Sequence, residues 1–162
     1  MSFTEHFDAY ACEGDAISCE AKGFIVTARI VADDCLDAPD QRQDGFWPSL
    51  YKDAPGFIGP GNSFRQRFAE AQAKAEAVME AWRKSEWFYC GIVLSVERDG
   101  IELDRHAASL WGVECNYPGT DNSYLTTVAN ELLPEALDAG RAAASRACGP
   151  CQSAGESGVS GP

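Results

Sequence analysis

Between residues 87 and 97, side chains follow the two-residue period of a β-strand. Phe88, Cys90, Ile92, Leu94 and Val96 fall on one side, and Tyr89, Gly91, Val93 and Ser95 on the other. Both sets are largely apolar, which predicts a strand covered on both faces. Arg98-Asp99-Gly100 supplies a hairpin turn, because glycine accepts positive φ, and Ile101-Glu102-Leu103-Asp104 returns with alternation. Residues 105–117 admit two readings. Ala107, Ser109, Trp111, Val113 and Cys115 share one side of a further strand, but Ala107-Ala108-Ser109-Leu110 has little β propensity and also suits a short helix.

Upstream, residues 16–20 and 24–32 read as two strands joined by Ala21-Lys22-Gly23. In the second, Phe24, Val26, Ala28 and Ile30 lie opposite Thr27 and Arg29. Residues 1–15 form an acidic arm or short strand around 9–12, with His6 in a mobile part. Residues 33–60 carry no apolar period. They crowd Asp33, Asp34, Asp37, Asp40 and Asp44 together with prolines and glycines. A loop this long is uncommon unless it is functional or disordered. Phe46, Trp47, Leu50, Tyr51, Phe57 and Ile58 predict that its second half packs on the domain while the acidic first half stays in water.

Phe64, Phe68, Ala71, Ala75, Val78 and Trp82 recur at spacings of three and four, predicting a helix over 64–85 capped by Asn62 or Ser63. A second stripe, Tyr124, Leu125, Val128, Ala129, Leu132, Leu133, Ala136 and Leu137, predicts a helix begun by Asp121 or Asn122. Pro134 should kink it or divide it in two. The patternless Gly/Ser/Pro end, 148–162, reads as a disordered tail. The expectation is an α+β fold over 1–147: an antiparallel sheet of four to five strands with two main helices packed on one face.

Composition adds a charge problem. The chain carries a net charge of −12 with an apolar fraction of 45%. Residues 1–44 hold ten acidic and three basic side chains, and residues 85–116 hold six and two. Such a surface repels nucleic acid and anionic membranes and favours a partner protein with a basic surface, including nucleic-acid-binding complexes. If the N-terminal strands pair near the central hairpin, the two acidic groups merge into one binding face: Asp33, Asp34, Asp37, Asp40 and Asp44 with Glu97, Asp99 and Glu102, flanked by Phe46 and Trp47. Residues 1–10 lack a basic segment followed by an apolar one, and no apolar run approaches the ~20 residues of a membrane span. With seven cysteines scattered among apolar neighbours, this predicts a cytoplasmic protein with reduced thiols.

Motifs for chemistry are sparse. Cys148-Gly-Pro-Cys151 has the letters of a redox site, but it follows a helix instead of opening one, and no partner motif completes a metal site. No Walker loop, dinucleotide fingerprint, nucleophile elbow or zinc-protease motif is present, so no cofactor or metal is expected. The glycine-rich 56–61 lacks the Lys-Ser/Thr ending of a phosphate cradle. Trp87-Phe88-Tyr89 could stack on bases, but Glu86, Glu97 and Glu102 make that region acidic, and core packing explains it better. Asp104 and His106 could share one strand face as a general base with its orienting acid.

The stretch 87–137, WFYCGIVLSVERDGIELDRHAASLWGVECNYPGTDNSYLTTVANELLPEAL, resembles small uncharacterised accessory proteins of bacterial plasmids and integrative elements. That resemblance implies an anti-defence context, of the anti-CRISPR or anti-restriction kind. The expected function is a non-enzymatic acidic binding protein. The alternatives are a small enzyme using Asp104 and His106, or a plain regulatory or assembly module.

Overall fold

The computed structural model describes residues 1–149. Four strands, β1 (Ala16–Ala21), β2 (Phe24–Ala32), β3 (Phe88–Arg98) and β4 (Ile101–Cys115), form one antiparallel sheet in the order β1-β2-β3-β4. A single turn α1 (Pro39–Arg42) and a long helix α2 (Phe64–Arg83) lie between β2 and β3, and α3 (Ser123–Ala147) follows β4. The α+β expectation holds.

Both hairpins turn on a pair of positive-φ residues, Lys22-Gly23 (51°, 79°) and Asp99-Gly100 (52°, 77°). This two-residue geometry matches the right-handed twist of the flanking strands. Residues 105–115 are strand, continuous with 101–104, so the sheet has four strands. Pairing with β3 overrides the weak β propensity of 107–110, and that pairing is irregular. Cys90 pairs with Val113 but Ile92 with Leu110, so Gly91 faces two residues, Trp111 and Gly112. Gly112 takes φ 73°, the conformation such a bulge favours in glycine. Gly91 is required there as well, since a Cβ would lie 2.5 Å from the Trp111 ring.

The core lies between one sheet face and α3. Val26, Ala28, Ile30, Cys90, Ile92, Leu94 and Val96 meet Leu125, Ala129, Leu133, Ala136 and Leu137. Gly140 lets the helix approach closely, because a Cβ there would stand 2.7 Å from Val96 Cγ1. Pro134 lies within α3 without dividing it. It sits on the exposed side, where the carbonyl it leaves unpaired can turn to water. The two main helices are not packed together on one sheet face as expected. α3 spans β2, β3 and β4, whereas the C-terminal half of α2 packs through Val78 and Ala81 on Trp87, with Phe46, Trp82, Tyr89 and Tyr117 around it. By strand alternation Trp87 and Tyr89 point away from the α3 face. The α2 stripe is rich in alanine, and its large members Phe64 and Phe68 are only half-buried. That stripe suits a small satellite contact better than a sheet-covering one.

The N-terminal residues pack on the fold instead of standing free. Phe3 and Phe7 are buried in the core, with their N–H groups donated to Asn130 Oδ1 (2.8 Å) and Thr126 Oγ1 (3.2 Å) of α3. Glu5 accepts the Ser18 N–H (3.0 Å), blunting the free edge of β1. Asn122 is fully buried and left-handed (φ 63°). Instead of capping α3, its amide donates to the carbonyls of Asp8 and Ala9 and to Asn116 Oδ1, and accepts the Asn116 N–H. Asn116 in turn holds both backbone groups of Ala11 at 2.8 Å. The two asparagines thus tie the arm to the end of the sheet. No described helix is long and apolar enough to cross a membrane. The expected tail from 148 lies almost wholly outside the described residues, as does Cys151.

Candidate functional site

The irregular segment after β2 is ordered by one arginine. Arg42, on α1, pairs with Asp33 Oδ2 at 3.1 Å and donates to the carbonyls of Cys35 (2.7 Å) and Asp37 (3.1 Å). Its guanidinium carbon lies 3.8 Å from the centre of the Tyr89 ring. Asp33 also accepts the N–H of Cys35 (2.9 Å). The Cys35 N–H, then the Arg42 guanidinium and then the backbone at Gly112 hold its carboxyl below the usual aspartate range, against the opposing effect of burial. Asp33 is thus a structural anchor joining loop, arginine and β4 bulge, and it is withdrawn from the expected binding face.

The other loop carboxylates differ. Asp34, Asp37 and Asp44 are exposed. Asp40 is exposed too, and accepts the Trp47 indole N–H at 3.2 Å. Phe46 packs inward on the Trp87 cluster, edge-on to half-buried Trp47, so neither aromatic is a free docking anchor. The segment closes on itself through backbone contacts. Ser49 N–H meets the Gly56 carbonyl (2.8 Å), and the Ile58 N–H meets Ser49 O (3.0 Å). Gly56 stands where a Cβ would be 2.0 Å from the Trp47 carbonyl oxygen. The glycines of 56–61 therefore serve loop closure.

The single merged face does not form. β2 pairs with β3 antiparallel, with Ile25 opposite Glu97 and Ala32 opposite Cys90. Both hairpin turns therefore lie at one end of the sheet, and the Asp33 segment lies at the other. Tyr89, whose carbonyl accepts the Asp33 N–H, is eight residues from Glu97, roughly 26 Å along an extended strand. At the hairpin end, Glu97 faces Glu102 directly across the ladder, Glu102 accepts Arg105 Nε at 3.0 Å, and Asp99 is a turn residue. These three form a separate group. What joins the Asp33 segment instead is the second half of the arm. The Gly14 N–H bonds to the Ile30 carbonyl and the Ile30 N–H to the Asp15 carbonyl, bringing Glu13 and Asp15 to the same end.

Between the arm, residues 32–36 and the end of α2 lies a groove of about 490 Å³. Tyr10, Trp82, Phe88 and Tyr89 line it with Leu36, and Glu13 and Asp33 are its acidic lining residues. Leu36 and Tyr10 are 89% and 67% exposed. Sequence reasoning missed this groove because its walls come from four separated stretches.

The Asp104–His106 pair is not assembled as an acid–base dyad. Asp104 Oδ1 accepts the backbone N–H of His106 at 2.9 Å, and the imidazole is exposed. Cys90 and Cys115 are both buried, the Cys115 thiol donates to the Ala11 carbonyl at 3.8 Å, and the neighbouring Cys115 thiol together with burial raises the Cys90 thiol. Glu114, paired across the ladder with Tyr89, is half-buried, and that burial pushes its carboxyl up. Burial and the nearby Glu114 likewise raise the Tyr89 and Tyr117 phenols.

The chain matches no family model, and no curated protein or solved structure is significantly similar to it.

Proposed function

We propose that this protein is a non-enzymatic binding module whose arm-and-loop end docks on a basic protein surface. The observation that carries the reading is the fixed display of Asp34, Asp37 and Asp44. All three are exposed on a segment anchored by the half-buried Asp33–Arg42–Tyr89 contact. Carboxylates held on an ordered backbone keep their spacing before the partner arrives, so less ordering entropy opposes binding. A net charge of −12 attracts cationic surfaces over several ångströms and repels polyanions. An apolar groove rimmed by charge resembles the anatomy of a protein interface, with its apolar centre and polar rim.

The resemblance to accessory proteins of mobile elements supports a more specific reading within this class. The partner would be a bacterial nucleic-acid-handling defence complex, blocked at its basic groove in the cytoplasm. The test is competition. Duplex DNA bound to the partner should be displaced by the wild-type protein, but not by a variant with Asp34, Asp37 and Asp44 changed to lysine. The protein alone should not bind DNA. Equal displacement by wild type and variant would refute the acidic docking face.

A further inference from the structure

We propose that the aromatic groove receives a cationic side chain, an arginine guanidinium or lysine ammonium, presented by the basic partner. This deepens the docking reading above and rests on it. Tyr10, Trp82, Phe88 and Tyr89 line one cavity of about 490 Å³ together with Glu13 and Asp33, and no cation is among its lining residues. Arg83 and Lys84, next in sequence to Trp82, both lie within 4 Å of Glu80 carboxylate oxygens on α2. Asp33 is already neutralised by Arg42, which leaves Glu13 as the free carboxylate of the lining.

An aromatic wall with a carboxylate at its mouth selects organic cations. The negative ring faces attract the charge, while the apolar surface accepts the aliphatic stem. The same wall already shows this chemistry within the chain, since Tyr89 holds the Arg42 guanidinium against its ring. An anion would meet the unneutralised Glu13 carboxylate. Arginine fits better than lysine, because its planar, weakly hydrated head stacks on aromatic rings and pairs with a carboxylate at once. The exposed carboxylates Asp34 and Asp37, on the same segment as Leu36, would then engage the remaining basic residues of the partner.

The test uses the full chain and an amidated Gly-Arg-Leu-Arg-Gly peptide, titrated by calorimetry at low salt. The control peptide carries citrulline, a neutral isostere, in place of both arginines. Wild-type protein should bind the arginine peptide and show no measurable affinity for the citrulline one. Tyr10→Ala and Glu13→Gln should each weaken binding about tenfold, while Tyr10→Phe, which keeps the ring face, should restore it. Both positions are exposed, so the variants should fold. Unchanged affinity in both groove variants, with binding lost on reversing Asp34, Asp37 and Asp44, would overturn the groove assignment and leave the docking reading standing. Equal affinity for the citrulline peptide, or no binding of either peptide to the wild type, would also overturn it.

Discussion

Replacing Arg42 with methionine keeps an unbranched side chain and removes every polar contact of the guanidinium together with its stacking on Tyr89. The side chains of Arg42 and Asp33 are only 16% and 14% exposed, so Asp33 would be left as a nearly buried, unpaired carboxylate. Stranding one partner of a fully buried ion pair costs about 3–5 kcal/mol, and an exposed pair contributes about 0–1 kcal/mol. The carbonyls of Cys35 and Asp37 lie in exposed contacts and regain water, so they add little. The expected cost is therefore about 2 kcal/mol, between those limits. If the loop opens locally to relieve Asp33, the same free energy appears as a roughly thirtyfold rise in amide exchange over residues 34–46, at about 1.4 kcal/mol per tenfold. Urea denaturation and hydrogen exchange followed by NMR measure the two together. Arg42→Lys should rescue only partly, because the ammonium cannot reach Asp33 and two carbonyls in one plane. The pH dependence has a definite sign. The folded carboxyl of Asp33 lies below its unfolded value, so its contribution is complete above the ordinary aspartate range and is lost as pH falls through the folded value. Unchanged stability together with unchanged exchange in Arg42→Met would refute Arg42 as the organiser of this segment.

Three further outcomes are expected. Leu133→Ala, which removes a side chain 3% exposed in the core, should cost about 2–5 kcal/mol in chemical denaturation, and Leu132→Ala, only half-buried, distinctly less. Gly91→Ala forces a methyl against the Trp111 ring and should cost about 1–3 kcal/mol, with a change in near-ultraviolet dichroism as the indole moves. Burial raises the folded Glu114 carboxyl above its unfolded value, so the stability it contributes is full below the ordinary glutamate range and declines as pH rises through the folded value. Glu114→Gln should flatten that decline and stabilise the protein at pH 7, as pH-dependent melting temperatures would show.

The strands 24–32 and 88–98 and both hairpin turns were legible because period-two alternation and Lys-Gly or Asp-Gly pairs are local signals. The buried stripe of α3 was legible for the same reason. Residues 105–117 admit both strand and helix because Ala107-Ala108-Ser109-Leu110 has little β propensity, and pairing with β3 makes 105–115 strand. The arm escaped because Phe3 and Phe7 stand alone among polar residues and become core only when α3 is present to receive them. The separation of the acidic groups has a topological origin. Hairpins fix the neighbours β1-β2 and β3-β4, but the long connection between β2 and β3 does not set which strands of the two hairpins pair, and that pairing decides which acidic groups share an end. Asp33 looked like its neighbours because its partner, Arg42, meets it only through the shape of an irregular loop. The aromatic groove was illegible for the same reason: Tyr10, Leu36 and Trp82 converge through tertiary packing alone.

The most direct test of acidic docking is the association rate between this protein and its basic partner across a salt series, by stopped flow. For the wild type the rate should fall steeply from 0.05 to about 0.5 M salt, as the Debye length contracts from over 10 Å to a few ångströms. For the variant with Asp34, Asp37 and Asp44 changed to lysine it should be slower at low salt and converge with the wild type at high salt, with folding unchanged, because these exposed charges add little stability. Rates independent of salt and identical for the two proteins would contradict docking through the acidic end.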